Sequence, residues 1–255
     1  TQETKTLKVS YMEIILCLKE APDTASIIKL SPDKKSINRQ DLSFCMNPYD
    51  EYALEESLRI RDKFSDTKIT VVTLGDRGAE QVLRTALSLG VDKAVHILTD
   101  KPSGELEAFF SSLCLSKFIS TLKYDLILCG KQAVDDDSSS VGAMIAQLLN
   151  IPQVTVITKL QIKDDKKGFI AHKEIEGAEE VIEGVLPALL TAQKGLNEPR
   201  LPSLMGIIQA KKKLIEKIDI KGLALKEDEI ISKLEIVSME LPKDRKPGRI
   251  ISGEP

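Results

Sequence analysis

The densest polar chemistry in the chain lies in one short stretch, "GKQAVDDDSSSVG", from Gly130 to Gly142. An apolar run, Leu126-Ile127-Leu128-Cys129, leads into it, and an apolar-periodic segment, Met144–Leu149, leads out. That order reads as strand, loop and helix. A loop so placed ends at a helix N-terminus, where unpaired N–H groups and the positive end of the helix dipole favour an anion. Gly130 and Gly142 would let a phosphate approach, and Ser138, Ser139 and Ser140 could donate to it. Asp135, Asp136 and Asp137 would repel a bare phosphate. They are expected instead to cap the helix or to accept bonds from a ribose or an adenine. A solvated N-cap cluster is the plainer alternative, and these residues alone leave it open. A magnesium site fits less well, because three adjacent carboxylates in one loop rarely all face one ion.

No reacting group stands beside this loop in the sequence. There is no GxGxxG and no GxxxxGK[ST], so neither phosphate-loop fingerprint is present. His96 falls among Val95 and Ile97, and His172 lies in a strand-like segment beside Lys173, places that suit structural histidines. No catalytic residue is expected. Cys17, Cys45, Cys114 and Cys129 are scattered without a CxxC, which argues against a zinc site. Cys17 and Cys129 sit in apolar runs and read as small buried hydrophobes in a reducing compartment.

The elements that must hold the loop follow from periodicity. Strand-length apolar runs recur at Glu13–Leu18, Ile69–Leu74, Ala94–Leu98, Asp125–Cys129 and Val154–Ile157. Several are continuous rather than alternating, as strands buried on both faces require. Helical spacing separates them. Asn47-Pro48-Tyr49-Asp50 opens one helix, with Asn47 as the expected cap and Pro48 in the first turn. Ala79–Leu89, Gly104–Leu122 and Val141–Leu149 read as the others. The alternation predicts an α/β fold, a Rossmann-like, mostly parallel sheet with helices on both faces.

After Pro152 the pattern changes to Gln153–Ile162, Gly168–Ile175 and Val181–Leu190, expected to be antiparallel strands. Residues 1–11 read as a tag or disordered extension, 12–196 as the nucleotide-binding domain, and 197–255 as a docking loop and C-terminal arm that needs a partner surface. In a parallel sheet the ligand crevice lies beyond the carboxyl ends of the strands, which brings Cys17, Leu74 and the 130–141 loop together. At 255 residues the chain has a formal net charge of −3, 4% aromatics and no Trp, a poor match to a nucleic-acid surface.

Several stretches together resemble the β subunit of electron transfer flavoproteins. They are "LKEAPDT" (18–24), "MNPYDEYALEE" (46–56), "LRTALSLGVDKA" (83–94), "DLILCGKQAVDDDSSSVG" (125–142), "LNEPRLPSL" (196–204) and "QAKKK" (209–213). The resemblance runs from about Met12 to about Arg249. It implies a heterodimer whose α subunit holds FAD, while this chain holds a structural AMP and wraps an arm around the partner. Electrons would pass from acyl-CoA dehydrogenases through the FAD to a membrane quinone oxidoreductase, in the bacterial cytoplasm or the mitochondrial matrix.

By matching positions the AMP site comprises Cys17, Asn47, Pro48, Tyr49, Asp50, Leu74 and the run Gly130, Lys131, Gln132, Ala133, Val134, Asp135, Asp136, Asp137, Ser138, Ser139, Ser140, Val141. Leu204 matches the family's dehydrogenase-docking leucine, flanked by Arg200, Lys211, Lys212 and Lys213. "VDDDSSSVG" looks like the AMP type. Thr24 departs from the pattern, standing where some members place an aromatic against the flavin, and Gln209 stands where lysine is common. The alternatives are a bifurcating β subunit that binds a second FAD and oxidises NADH, and a stand-alone nucleotide-hydrolysing enzyme of similar fold.

Overall fold

Strands in a buried sheet send alternate side chains to opposite faces, and here both faces are apolar. In β1 (Met12–Cys17), Ile14 and Leu16 join one buried cluster while Ile15 and Cys17 join a second. The computed structural model describes residues 11–226, 229, 231–243 and 248. All of the expected N-terminal extension except Tyr11 lies outside the described residues.

After β1 come β2 (Glu20–Pro22), β3 (Phe44–Met46), α1 (Pro48–Lys63), β4 (Thr67–Gly75), α2 (Glu80–Ser88), β5 (Lys93–Leu98), α3 (Ala108–Ile119), β6 (Leu126–Gly130) and α4 (Val141–Leu149). Then follow β7 (Gln153–Ile162), β8 (Gly168–Ile175), β9 (Ala178–Val185), β10 (Ala188–Ala192), α5 (Leu204–Lys212) and β11 (Glu216–Asp219). Among the described residues nine strands form one sheet in the order β11-β5-β4-β1-β6-β10-β7-β8-β9. The pairs from β11 to β7 are parallel, and β7-β8-β9 are antiparallel. The chain winds outward from β1 to β4 and β5, then returns through α3 to β6 on the other side of β1. The strand order therefore reverses between β1 and β6, where Cys17 and Cys129 are register partners. A crevice forms at such a reversal because the connections on either side lead to opposite faces of the sheet.

Three expectations change. The run Val181–Leu190 is not one strand: it breaks at Leu186-Pro187 into antiparallel β9 and parallel β10, which inserts between β6 and β7. Proline supplies no N–H to a ladder, so the pairing cannot continue through it. The expected helix Gly104–Leu122 is instead a short 3₁₀ turn at Ser103–Glu105 followed by the shorter α3. Finally, the chain does not leave the domain at Asn197. α5 packs on α2, burying Ala210, and β11 adds a parallel edge strand to β5. Ile215 is buried in the first cluster, and Ile218, Ile220, Leu223 and Leu225 pack on the second. The apolar residues of this stretch find their core at the far edge of the sheet, a pairing no local pattern announces. Beyond it, Ile231, Leu234, Val237 and Leu241 are exposed.

Candidate functional site

At the β1/β6 reversal the structure opens a cleft with about 690 Å³ of empty space, mouth included, within the usual range for small-molecule sites. Its floor is Cys17 and Cys129. Burial pushes the Cys17 thiol up to about 12, with the Asp50 charge adding to it, and it also raises Cys129. Both thiols are therefore neutral and behave as small apolar groups. Leu74, Leu106 and Leu115 supply apolar lining, and the 130–140 loop and the start of α4 supply polar lining.

The α4 N-terminus is free to receive an anion. Ser140 occupies the cap position without a side-chain cap bond, and the first helical donor with a partner is Met144, whose N–H reaches the Ser140 carbonyl at 2.9 Å. The loop approaches this end through left-handed backbone at Asp137 (φ 50°) and Ser139 (φ 51°). Such conformations cost a non-glycine residue roughly 1–2 kcal/mol each, so other contacts must hold them. Several do. Gln132 Nε2 donates to Asp137 at 2.5 Å, Ser139 Oγ donates to Gln132 Oε1 at 2.9 Å, and the Asp137 N–H reaches Ala133 O at 2.9 Å. Lys19 Nζ binds Asp135 at 2.7 Å and Asp136 at 3.2 Å. The aspartates thus neither cap α4 nor stand free. They fold the loop onto Lys19 and onto itself, which lowers their repulsion toward an incoming anion.

The entry to α1 also differs from the expected capping motif. Asn47 makes no side-chain cap. Its amide instead donates to Gln132 O at 2.8 Å and accepts from Val134 N at 3.2 Å, pinning the loop to α1. Asp50 turns inward and accepts from the Lys19 N–H (2.7 Å) and the Gly130 N–H (2.8 Å), tying the ends of β1 and β6 together. Gly130 and Gly142 line the cleft and are also places where no Cβ would fit. A Cβ on Gly130 would lie 2.5 Å from Asp50 Oδ1, and one on Gly142 2.8 Å from Thr191 Cγ2 and 2.9 Å from Cys129 Sγ. Their smallness serves close packing of α1 and α4 on the strands.

Burial pushes the Asp50 carboxyl from its ordinary 3.8 up to about 7, outweighing the two backbone donors. Folding therefore raises its proton affinity, and the chain loses stability as pH rises from about 4 to about 7, at ~1.4 kcal/mol per pH unit, levelling above. Asp50→Asn removes that slope. It also leaves one backbone N–H facing an amide N–H, a cost of about 1–3 kcal/mol. The deficit of the variant is expected to be largest near pH 4 and to shrink toward pH 7.5 in urea unfolding. A deficit that grows with pH would show that the latch works as a carboxylate.

The geometry agrees with what comparison finds. The family model "Electron transfer flavoprotein domain" matches residues 35–222. An electron transfer flavoprotein subunit beta of Bacillus subtilis is 39% identical over 244 residues, covering 96% of this chain and 93% of the relative. The chain belongs to the electron transfer flavoprotein β-subunit family. The mitochondrial β subunit of Arabidopsis thaliana is 34% identical over 245 residues, 94% of each chain. A caffeyl-CoA reductase-Etf complex subunit, CarD of Acetobacterium woodii, is 39% identical over 200 residues, 78% of this chain and 75% of the relative.

Of the residues that the flavoprotein resemblance marks, Cys17, Asn47, Asp50, Leu74, Gly130–Ala133, Asp136 and Ser138–Val141 line the cleft. Pro48, Tyr49, Val134, Asp135 and Asp137 support it from outside. Pro48 begins α1, and Tyr49 packs beneath Gly130 with Lys131 Nζ 5.0 Å from its ring centre. Sequence reasoning missed the lining residues Ser103, Leu106, Ala108, Ser111 and Leu115, because 104–122 read as one helix. Lys19, at the tail of the first strand that was expected to reach the crevice, does line it, and its pairing with Asp135 and Asp136 is what the sequence did not show. Both histidines lie elsewhere. His96 is buried in β5 with Nε2 3.3 Å from Gly75 O, and His172 faces Glu179 on the β8–β9 hairpin. Among the described residues no cluster of His, Cys, Asp and Glu is arranged to hold a metal ion.

The residues that the resemblance marks for docking lie on a second surface. Leu204 begins α5 and is 74% exposed, beside Leu201 (90%) and Met205 (63%). Lys211 and Lys212 are exposed, whereas Lys213 donates to Val91 O at 2.9 Å. Arg200 turns to its own α1, binding Glu55 and Asp62. Among the described residues no helix is long and apolar enough to cross a membrane.

Proposed function

We propose that this chain is the AMP-carrying β subunit of a heterodimeric electron carrier. AMP occupies the cleft, with its phosphate at the α4 N-terminus and its base toward the leucine lining. FAD is held by the partner α subunit. The observation that supports this most directly is the uncapped α4 N-terminus opening into a cleft lined by both polar and apolar groups. AMP there supplies charge and shape and no redox chemistry. The chain makes and breaks no bonds itself: the cleft thiols are held neutral and both histidines lie away from it. Leu204 and its apolar neighbours dock acyl-CoA dehydrogenases, with Lys211 and Lys212 facing acidic groups at the rim. The exposed 231–241 segment embraces the α subunit, and electrons leave through a quinone oxidoreductase. Relatives from a bacterium and from plant mitochondria support a cytoplasmic or matrix setting.

The similarity to a caffeyl-CoA reductase-Etf complex subunit supports a second reading, a bifurcating complex with a second FAD in this cleft. Denaturing the purified heterodimer and measuring released nucleotides by absorbance and mass spectrometry separates the two. One FAD and one AMP per heterodimer is the expected result. Two FAD and no AMP would replace the first reading by the second, and no nucleotide beyond the α-subunit FAD would remove both.

A further inference from the structure

Glu55 is only 5% exposed on its side chain, does not line the cleft, and no step of the proposed electron relay uses it. Burying a carboxylate is costly unless it is paired and fully bonded. Glu55 meets that condition through the chain that precedes the docking surface. Arg200 donates to it three times, from Nε (2.8 Å), Nη2 (3.1 Å) and the backbone N–H (3.2 Å), and Arg59 Nε adds a bond of 3.1 Å. Burial raises the Glu55 pKa, but these bonds more than offset it, so the group stays ionised below the usual carboxylate range. Arg200 Nη2 also reaches Asp62 at 2.8 Å. Three residues earlier, Asn197 Nδ2 donates to Tyr52 O and to Glu56 Oε2, both at 2.9 Å.

The other side of the apolar patch is tied as well. Ser203 Oγ accepts from Gly206 N at 3.0 Å, and a Cβ on Gly206 would lie 2.2 Å from Ser88 O, so α5 rests directly on the end of α2. Arg84 Nη1 binds the Ala210 and Lys213 carbonyls at 2.8 and 2.7 Å. Leu201, Leu204 and Met205 are thus exposed residues on a segment anchored at both ends.

We infer that Glu55 and Arg200 are positioning residues for partner docking, clamping residues 197–200 to α1 so that the apolar patch is held ready before the partner arrives. The inference rests on the reading of this patch as the dehydrogenase-docking surface. It assigns Arg200 a role different from a direct contact: its Nε and Nη2 are turned toward its own helix, and its fork geometry matters more than its charge. Ordering a mobile loop on binding costs affinity, and a loop already ordered avoids that cost.

The test uses the intact heterodimer and electron transfer from an acyl-CoA dehydrogenase varied in concentration. Arg200→Gln is expected to raise the KM for the dehydrogenase about tenfold, with kcat and nucleotide content unchanged. Amide hydrogen exchange at residues 198–203 should speed up at least tenfold. Arg200→Lys keeps the charge but loses the fork, so it should be nearly as impaired. Glu55→Gln should act like Arg200→Gln, and the double variant should be no worse than the weaker single one. If the two losses multiply, or if Arg200→Lys restores KM, Arg200 meets the partner itself and the inference fails. Unchanged exchange at 198–203 in Arg200→Gln overturns it even if Glu55→Gln does not fold. Leu204→Ala on the same heterodimer tells the two ideas apart: an unchanged KM there removes the docking reading, whatever Arg200 does.

Discussion

Ser140→Glu is expected to abolish AMP retention while leaving the fold as stable as before. Ser140 holds the cap position of α4 and lines the cleft, and its hydroxyl makes no cap bond that the change would break. A carboxylate at a helix N-terminus is favoured by the helix dipole, by roughly 0.3–1 kcal/mol. The same carboxylate would stand where the phosphate is proposed to sit. Two unit charges about 4 Å apart repel by ~4 kcal/mol at an effective dielectric near 20, which is more than a hundredfold in affinity. AMP carries more than one charge, so salt screening is not expected to rescue it. Mass spectrometry of nucleotide released from the purified variant, with melting measured on the same sample, checks both halves. Full AMP content with unchanged melting would move the phosphate away from this helix. The serines and aspartates would then be a solvated turn.

Leu204→Ala is expected to weaken dehydrogenase docking by about ten- to a hundredfold and to leave nucleotide content and melting unchanged. A leucine anchor buried at an interface centre is worth about 1.5–3 kcal/mol. In the free chain Leu204 is 74% exposed, so its truncation opens no cavity. Alanine is also a slightly better helix former in the first turn of α5. Pro202 and the Ser203 cap hold that turn in place without the leucine side chain. The measurement is electron transfer against dehydrogenase concentration, paired with thermal melting. Unchanged docking would move the contact to another part of the patch. A fall of many degrees in melting would mean that the leucine supports the fold.

Much of the cleft was legible because its main signals are local. Leu126–Cys129, the polar loop and Met144–Leu149 are neighbours in sequence, so strand, loop and helix could be read in order, and α4 begins at Val141 as its pattern indicates. Cys17 and Leu74 could be added because the carboxyl ends of parallel strands must share one side of a sheet. Asn47 and Asp50 show the limit. Their spacing matches a capping motif, yet both side chains bond to the 130 loop and to the strand ends, with Asp50 reaching Gly130 across 80 positions. Once folding brings a backbone N–H or carbonyl within reach in a dry interior, satisfying it outweighs a helix cap that water could replace.

The sequence by itself determined the parallel α/β class, the place of the cleft and the family, because periodicity, strand-end geometry and ordered motifs are all written along the chain. Tertiary structure decided how the charges are spent. Lys19 closes the aspartate loop, Arg200 binds Glu55 across 145 positions, and Lys213 holds the Val91 carbonyl. It also decided that the chain after Asn197 returns to add β11 beside β5. These outcomes depend on which distant groups are left unpaired once the core has formed, a quantity that exists only in three dimensions.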